Sequence, residues 1–132
     1  MPVGIIYDKR YLQHETGSHV ESRERLVATM DLIESEKLLA SPDFKLIAPR
    51  PATIDEVRMV HDADMIERAR IKAQQARDGG LQYLDMGDTV VSEHSYDVAL
   101  LAAGGGMAAA DAVLKGDVSS AFALVRPPGH HA

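Results

Sequence analysis

The chain contains no cysteine, so disulfides and thiolate zinc sites are excluded and nothing points to an oxidising compartment. It has no uninterrupted apolar run of the roughly eighteen residues that a membrane span needs. The N-terminus, Met1-Pro2-Val3-Gly4-Ile5-Ile6-Tyr7-Asp8, lacks the basic start and long apolar stretch of a secretory leader, and a cytoplasmic address is the expectation. Lysine and arginine are scattered and the net charge is −6, which argues against a surface that tracks nucleic-acid phosphates. An acidic balance suits a cationic substrate and plain solubility equally.

What is present is an ordinary globular composition, 45% hydrophobic and 26% charged over 132 residues. That length fits a single unit, residues 1–132, with a modest core. Val3 to Tyr7 reads as a first strand, and Tyr11 to Ser22 as a polar loop. From Arg23 to Leu39, Leu26, Val27, Met30, Ile33 and Leu38 recur at helical spacing, and Ser41-Pro42 is expected to end that helix. Phe44 to Ala48 reads as a second strand. Thr53 and Glu56 form a capping-box pattern that opens a short helix. A further helix is expected over about Asp62 to Asp78, with Met65, Ile66, Ala69, Ala73 and Ala76 inward and Gly79-Gly80 beyond its end.

Leu81 to Ser92 reads as a loop or short extended segment containing Asp85 and Asp88. Ser95 to Lys115 is a strongly helical segment interrupted by Gly104-Gly105-Gly106, each glycine costing roughly 1 kcal/mol relative to alanine. Two readings are open: another backbone approaches that face closely, or the helix breaks there. Ala121 to Val125 is a continuous apolar run, expected to form a parallel strand buried on both faces. The alternation of strands and helices gives an α/β fold, a parallel sheet flanked by helices.

In such sheets, sites gather beyond the carboxyl ends of the strands. Arg126-Pro127-Pro128-Gly129-His130-His131-Ala132 lies there. The prolines stiffen the exit from the strand, and Gly129 allows dihedrals that other residues avoid. Two imidazoles then follow, able to accept and give protons near neutral pH. A histidine pair alone is weak, since chance would place one in roughly a quarter of chains with this histidine content. On the residues alone, a catalytic or metal site and a solvent-exposed tail both remain open.

The heptapeptide Arg126 to Ala132 resembles, residue for residue, the signature of class II histone deacetylases and their bacterial and archaeal relatives, including acetylpolyamine amidohydrolases. His19-Val20-Glu21-Ser22-Arg23-Glu24-Arg25-Leu26 resembles that family's early H-P-E-x-P-x-R-L segment, with Val20 and Arg23 in place of its prolines. Val60-His61-Asp62-Ala63-Asp64-Met65 is similar to its V-H-x-x-x-Y segment, with Met65 in place of tyrosine. Asp88-Thr89, followed by the glycine-bearing helix, resembles the stretch leading to the histidine loop. The resemblance covers nearly the whole chain, in the family's order.

The resemblance implies an arginase-like fold and a zinc-dependent amide hydrolase that removes acetyl groups from acetyl-lysine or acetylated polyamines. It makes His131 the general base and then acid, and His130 an electrostatic stabiliser, each oriented by a carboxylate. Gly129 falls among the substrate-facing residues. Asp88 matches the region of a rim aspartate that binds the substrate backbone, or is an ordinary turn aspartate. Arg25 matches an arginine behind the active site, or forms a surface salt bridge on a helix. His14 and His19 are expected to be structural or solvated, and His61 to be a structural residue at a helix start. The family's metal ligands, an Asp-x-His pair and a further aspartate, lie downstream of the histidine loop. No metal ligand is therefore assigned within these residues, and the isolated chain is expected to be inactive. An assembly module is the alternative, one that self-associates or pairs with a complementing C-terminal part.

Overall fold

The computed structural model describes residues 1–129. His130 and His131, the two residues to which the resemblance gives the proton chemistry, lie outside the described residues together with Ala132.

The first strand, β1 (Val3–Ile6), is short and β-branched, and it is the centre of the main sheet rather than its edge. β2 (Phe44–Ile47) pairs with it on one side and β5 (Ser120–Ala123) on the other, both parallel, in the order β2-β1-β5. The register sets Ile5 opposite both Leu46 and Phe122, and Ile6 opposite Ile47 and Ala123. Between β1 and β2 runs α1 (Glu24–Ser35), whose buried Leu26, Met30 and Ile33 join Ile5, Tyr11 and Leu124 in the core.

The sequence expectation that this helix continues to Leu39 is corrected. It ends at Ser35, and Lys37 takes a left-handed conformation with φ 54°. That turn breaks the helix and lets Leu38 and Leu39, now in a separate 3-10 turn, pack onto the core. A second 3-10 turn occupies Lys9–Gln13, the start of what reads as loop, because Asp8 caps it by accepting from the Arg10 backbone N–H.

The capping box forms as expected. Thr53 Oγ1 accepts from the Glu56 N–H at 3.2 Å, and the Glu56 carboxylate accepts from the Thr53 N–H at 2.9 Å, opening α2 (Ile54–Val57). α3 (Ala63–Gly79) starts on Asp62, which caps it through the Met65 N–H, and buries Ile66, Ala73 and Ala76. Met65 and Ala69 are half-buried on the same side. The segment after it folds into an antiparallel pair, β3 (Gln82–Tyr83) with β4 (Val90–Val91).

α4 (Ser95–Leu114) crosses the sheet without a break. It is long and apolar enough to cross a membrane, but Asp97 and Asp111 interrupt its apolar sequence, and Val98, Leu101, Gly104, Gly105 and Ala112 are buried in the domain. The glycines mark a close approach of backbone. A Cβ on Gly104 would collide with the Arg50 carbonyl, with the Arg50 carbonyl carbon at 2.7 Å and the Ala52 nitrogen at 2.8 Å. There the Ala52 N–H donates to the Leu100 carbonyl at 2.8 Å. A Cβ on Gly105 would meet the Tyr11 hydroxyl and lie 2.9 Å from Val125 Cγ1, whereas Gly106 faces open space.

The expectation for the last strand is also corrected. β5 is a sheet edge among the described residues, and Phe122 is 61% exposed. An unbroken apolar run reads as burial where layers cover both faces of the strand; in β5 the Phe122 side chain is left largely uncovered, although Ile5, opposite it on the central strand, is buried.

Candidate functional site

After β5 the chain passes through Leu124 and Val125 to Arg126, at the carboxyl end of the parallel sheet. Leu124 still belongs to the sheet's surroundings, its N–H donating to the Ile6 carbonyl at 2.9 Å. Arg126 then turns inward. Its side chain is completely buried, an unusual place for a guanidinium unless every donor is matched.

The partners are present. Nε donates to Glu21 Oε1 at 3.2 Å and Nη2 to Glu21 Oε2 at 2.9 Å, the forked geometry that suits a carboxylate. Nη1 donates to the Tyr11 carbonyl at 3.1 Å and to the His14 carbonyl. Burial pushes the Glu21 carboxyl up, but the hydrogen bonds and charge of Arg126, with smaller contributions from His14 and Arg25, outweigh it. The net position is below the ordinary glutamate range.

Around this pair lies a second buried network. His14 Nδ1 sits 2.6 Å from Ser95 Oγ. Ser95 Oγ also accepts from the Ser92 N–H at 2.7 Å and lies 2.9 Å from Ser92 Oγ, which itself accepts from the Glu15 N–H at 3.0 Å. Burial first, and then the positive charge of Arg126, push His14 down to about 4, with Glu21 pulling the other way. The histidine is therefore neutral at pH 7 and serves as a structural group, as expected from the sequence. Tyr11 is fully buried beside it, its hydroxyl donating to the Leu101 carbonyl at 2.8 Å. Burial, followed by the charge of Asp8, holds that phenol well above its ordinary value.

Arg25 and Asp88 reach the His19–Glu21 segment from different elements. Arg25, in the first turn of α1, is half-exposed, donates from Nη2 to the Val125 carbonyl at 2.9 Å and stands 3.7 Å from Glu21. It is a surface side chain that reaches the segment leading to the histidine pair. Asp88 lies in the β3–β4 connection, 79% exposed, 3.0 Å from His19 Nε2. That connection is organised by Asp85, whose Oδ1 accepts the N–H groups of Gly87, Asp88 and Thr89 and whose Oδ2 accepts the Thr89 hydroxyl. These bonds, the Thr89 hydroxyl foremost, hold the Asp85 carboxyl far below its usual range. Gly129 is exposed and a Cβ there would touch nothing among the described residues. Its φ lies outside the left-handed region.

The buried Arg126–Glu21 pair and the His14–Ser95–Ser92 network were not foreseen. Their partners are 105 and 81 residues apart, and neither spacing leaves a local pattern. The one available signal was an arginine placed directly after an apolar strand. Among the described residues, no group of three His, Asp or Glu side chains is placed to hold a metal ion. Two surface hollows, one along α3 near Ile71 and one between Arg10, Pro51 and His94, have none of the candidate residues in their walls.

The family model described as histone deacetylase domain matches residues 19–132. A probable deacetylase of Archaeoglobus fulgidus is 40% identical over the full chain, which spans 35% of that protein. A probable deacetylase of Methanothermobacter thermautotrophicus is 41% identical over 97% of the chain, again with 35% of the relative covered. A histone deacetylase-like amidohydrolase of Pseudomonas aeruginosa is 37% identical over 86% of the chain. Among solved structures, the HDA15 HD domain superposes with a TM-score of 0.87 at 31% identity, covering the whole chain and 37% of that domain's chain. The chain thus spans about a third of the length of the relatives it matches.

Proposed function

Since the chain belongs to the histone deacetylase family, we propose that it forms the histidine-loop part of a zinc-dependent amide hydrolase that deacetylates acetyl-lysine or an acetylated polyamine. The observation that carries this reading is the buried base of the loop. Arg126, the first residue of the matching heptapeptide, is wholly buried and paired with Glu21 of the other matching segment. A rigidly founded strand exit followed by two histidines suits proton transfer, where placement decides the rate. His131 is then the general base and acid, His130 the electrostatic stabiliser, Asp88 the rim residue for the substrate backbone, Gly129 a substrate-facing position and Arg25 a support behind the loop.

When bound, zinc would polarise the acetamide carbonyl and a water molecule. The described residues do not by themselves make a set to hold it, and the chain covers about a third of its relatives. On that ground we propose that these 132 residues alone do not catalyse hydrolysis.

The test is a chimera in which the chain replaces the matching stretch of the Archaeoglobus fulgidus relative. It is expected to deacetylate an acetyl-lysine peptide or an acetylpolyamine, and His131→Ala is expected to reduce the rate by about 10² to 10⁴. A folded, zinc-loaded chimera inert towards both substrates would sink the reading. Hydrolysis by the 132-residue chain alone, abolished by His131→Ala, would overturn the proposed inactivity.

A second reading is favoured by β5. Its outer edge is unpaired among the described residues, and Phe122 on it is 61% exposed. Such an edge is a template for another strand. It would accept a complementing C-terminal part of the domain or a second copy of the chain.

A further inference from the structure

The segment His19-Val20-Glu21 touches two loops that make no other side-chain bond to it or to one another among the described residues. Glu21 grips Arg126 at the base of the loop that leads to the histidine pair. His19 reaches Asp88 in the β3–β4 connection, with Nε2 and Oδ1 3.0 Å apart.

Hydrogen bonding fixes the direction of that second contact. The Glu21 N–H donates to His19 Nδ1 at 3.0 Å, so Nδ1 is an acceptor and carries no proton. The proton of a neutral ring is then on Nε2, and Nε2–H donates to the Asp88 carboxylate. A third bond closes the turn from beneath, from the Thr16 hydroxyl to the Glu21 carbonyl at 2.5 Å. Val20, between the two gripping residues, is 98% exposed and contributes nothing to the hold.

We propose that His19-Val20-Glu21 is a positioning bracket that sets the spacing between the Asp88 loop and the Arg126 loop, the two walls between which the substrate would lie. Its functional meaning rests on the deacetylase reading given above, whereas its geometry does not. Asp85 shapes the Asp88 loop internally, but a self-contained turn carries no information about where it sits relative to a distant strand. Packing of β3 and β4 against α3 and the Glu15–Ser92 bond place the base of the connection, and the His19 bond ties Asp88 to the segment that grips Arg126. Glu21 acts on the other side, because the direction of Arg126 fixes the direction in which the chain leaves the sheet. His19 and Glu21 are positioning residues, and the ring and the carboxylate act through Asp88 and Arg126.

The experiment uses the full 132-residue chain, ¹⁵N-labelled, and compares amide signals in three variants. His19→Leu removes the donor to Asp88 and the acceptor for the Glu21 N–H. It is expected to move the signals of Asp88, Thr89 and Gly129 while leaving Ile5 and Phe122 of the sheet in place. His19→Gln, which keeps an N–H donor close to the position of Nε2, is expected to return Asp88 and Thr89 most of the way. Glu21→Gln is expected to move Gly129 and to speed solvent exchange of the Arg126 Nε–H.

A general loss of stability would shift sheet and loop signals together and would not distinguish leucine from glutamine at position 19. If His19→Leu leaves Asp88 and Gly129 where they were, or if glutamine behaves like leucine, the bracket is overturned. The two His19 variants decide the matter even if Glu21→Gln fails to fold. No step depends on hydrolysis, so an inert chimera and a failed bracket are separate results.

Discussion

Arg126 and Glu21 face each other across the interior with Nη2 and Oε2 2.9 Å apart, the arginine wholly buried and the glutamate 19% exposed. The pair joins the end of the sheet to the segment before α1 and closes a gap of 105 residues. Removing one member of such a pair strands the other charge in a medium that solvates it poorly, which costs far more than the pair's net worth.

Glu21→Ala is therefore expected to destabilise the chain by about 3 kcal/mol, towards the lower end for a buried pair because Arg126 keeps its bonds to the Tyr11 and His14 carbonyls. Urea unfolding followed by circular dichroism measures this. A loss within ordinary surface-mutation scatter, about 0.5 kcal/mol, would mean that the pair is solvated in solution.

The same region sets the response to acid. His14 titrates at 6.5 when unfolded and at about 4 in the fold, so between those values the unfolded chain binds the extra proton. Stability from this residue is complete above pH 6.5 and declines as the pH falls towards 4, by about 3 kcal/mol in all. Glu21, whose carboxyl is lowered by folding, adds stability above its unfolded value that is lost as the pH falls through its folded one. Urea midpoints are expected to fall already between pH 6.5 and 5, and His14→Asn should flatten that upper part of the profile. A parent profile flat down to pH 5 would contradict a buried neutral His14.

The glycine cluster in α4 makes a contrast within three residues. Gly104→Ala places a methyl group against the Arg50 carbonyl and the backbone of Ala52, and overpacking of this kind costs about 1–3 kcal/mol or more. Gly106→Ala meets nothing and should stabilise the helix by roughly 0.5–1 kcal/mol. Thermal melts of the two variants should move in opposite directions. A Gly104→Ala variant as stable as the parent would show that the Arg50 segment does not lie on the helix.

Phe122 tests the edge of the sheet. Phe122→Lys is expected to reduce self-association of the 132-residue chain, read by light scattering over a concentration series, with little change in its unfolding midpoint. A clean monomer of the parent chain at high concentration would remove the case for self-pairing along β5.

Much of this architecture is legible locally. The capping box at Thr53 and Glu56, the Asp62 cap of α3 and the extent of α4 all depend on residues within a turn of one another. The close approach at Gly104 was readable because three glycines in a helix need a reason. What failed depended on distant partners or on an untypical residue. Lys37 takes a left-handed turn that would ordinarily be marked by glycine, so the helical spacing of apolar residues runs on past the end of α1. The apolar run in β5 says strand, but not whether a neighbour lies on each side. The pairing of Arg126 with Glu21 joins two segments that the resemblance had marked separately, and only the fold brings them together.

The strand order β2-β1-β5 has a consequence for how the chain comes to be folded. β1 and its neighbour β5 lie at opposite ends of this stretch, and the bond from Ser119 to Pro2 spans 117 residues. During synthesis the opening residues must wait, with one hydrogen-bonding edge of β1 uncovered, until almost all of this stretch has left the ribosome. Closing so long a loop is slow because its entropic cost precedes the contacts that repay it. In that interval the apolar Val3–Ile6 segment is exposed to other chains and to chaperones. Of the three described strands of this sheet, the central one is thus the earliest in sequence and cannot be paired on both sides until β5 arrives.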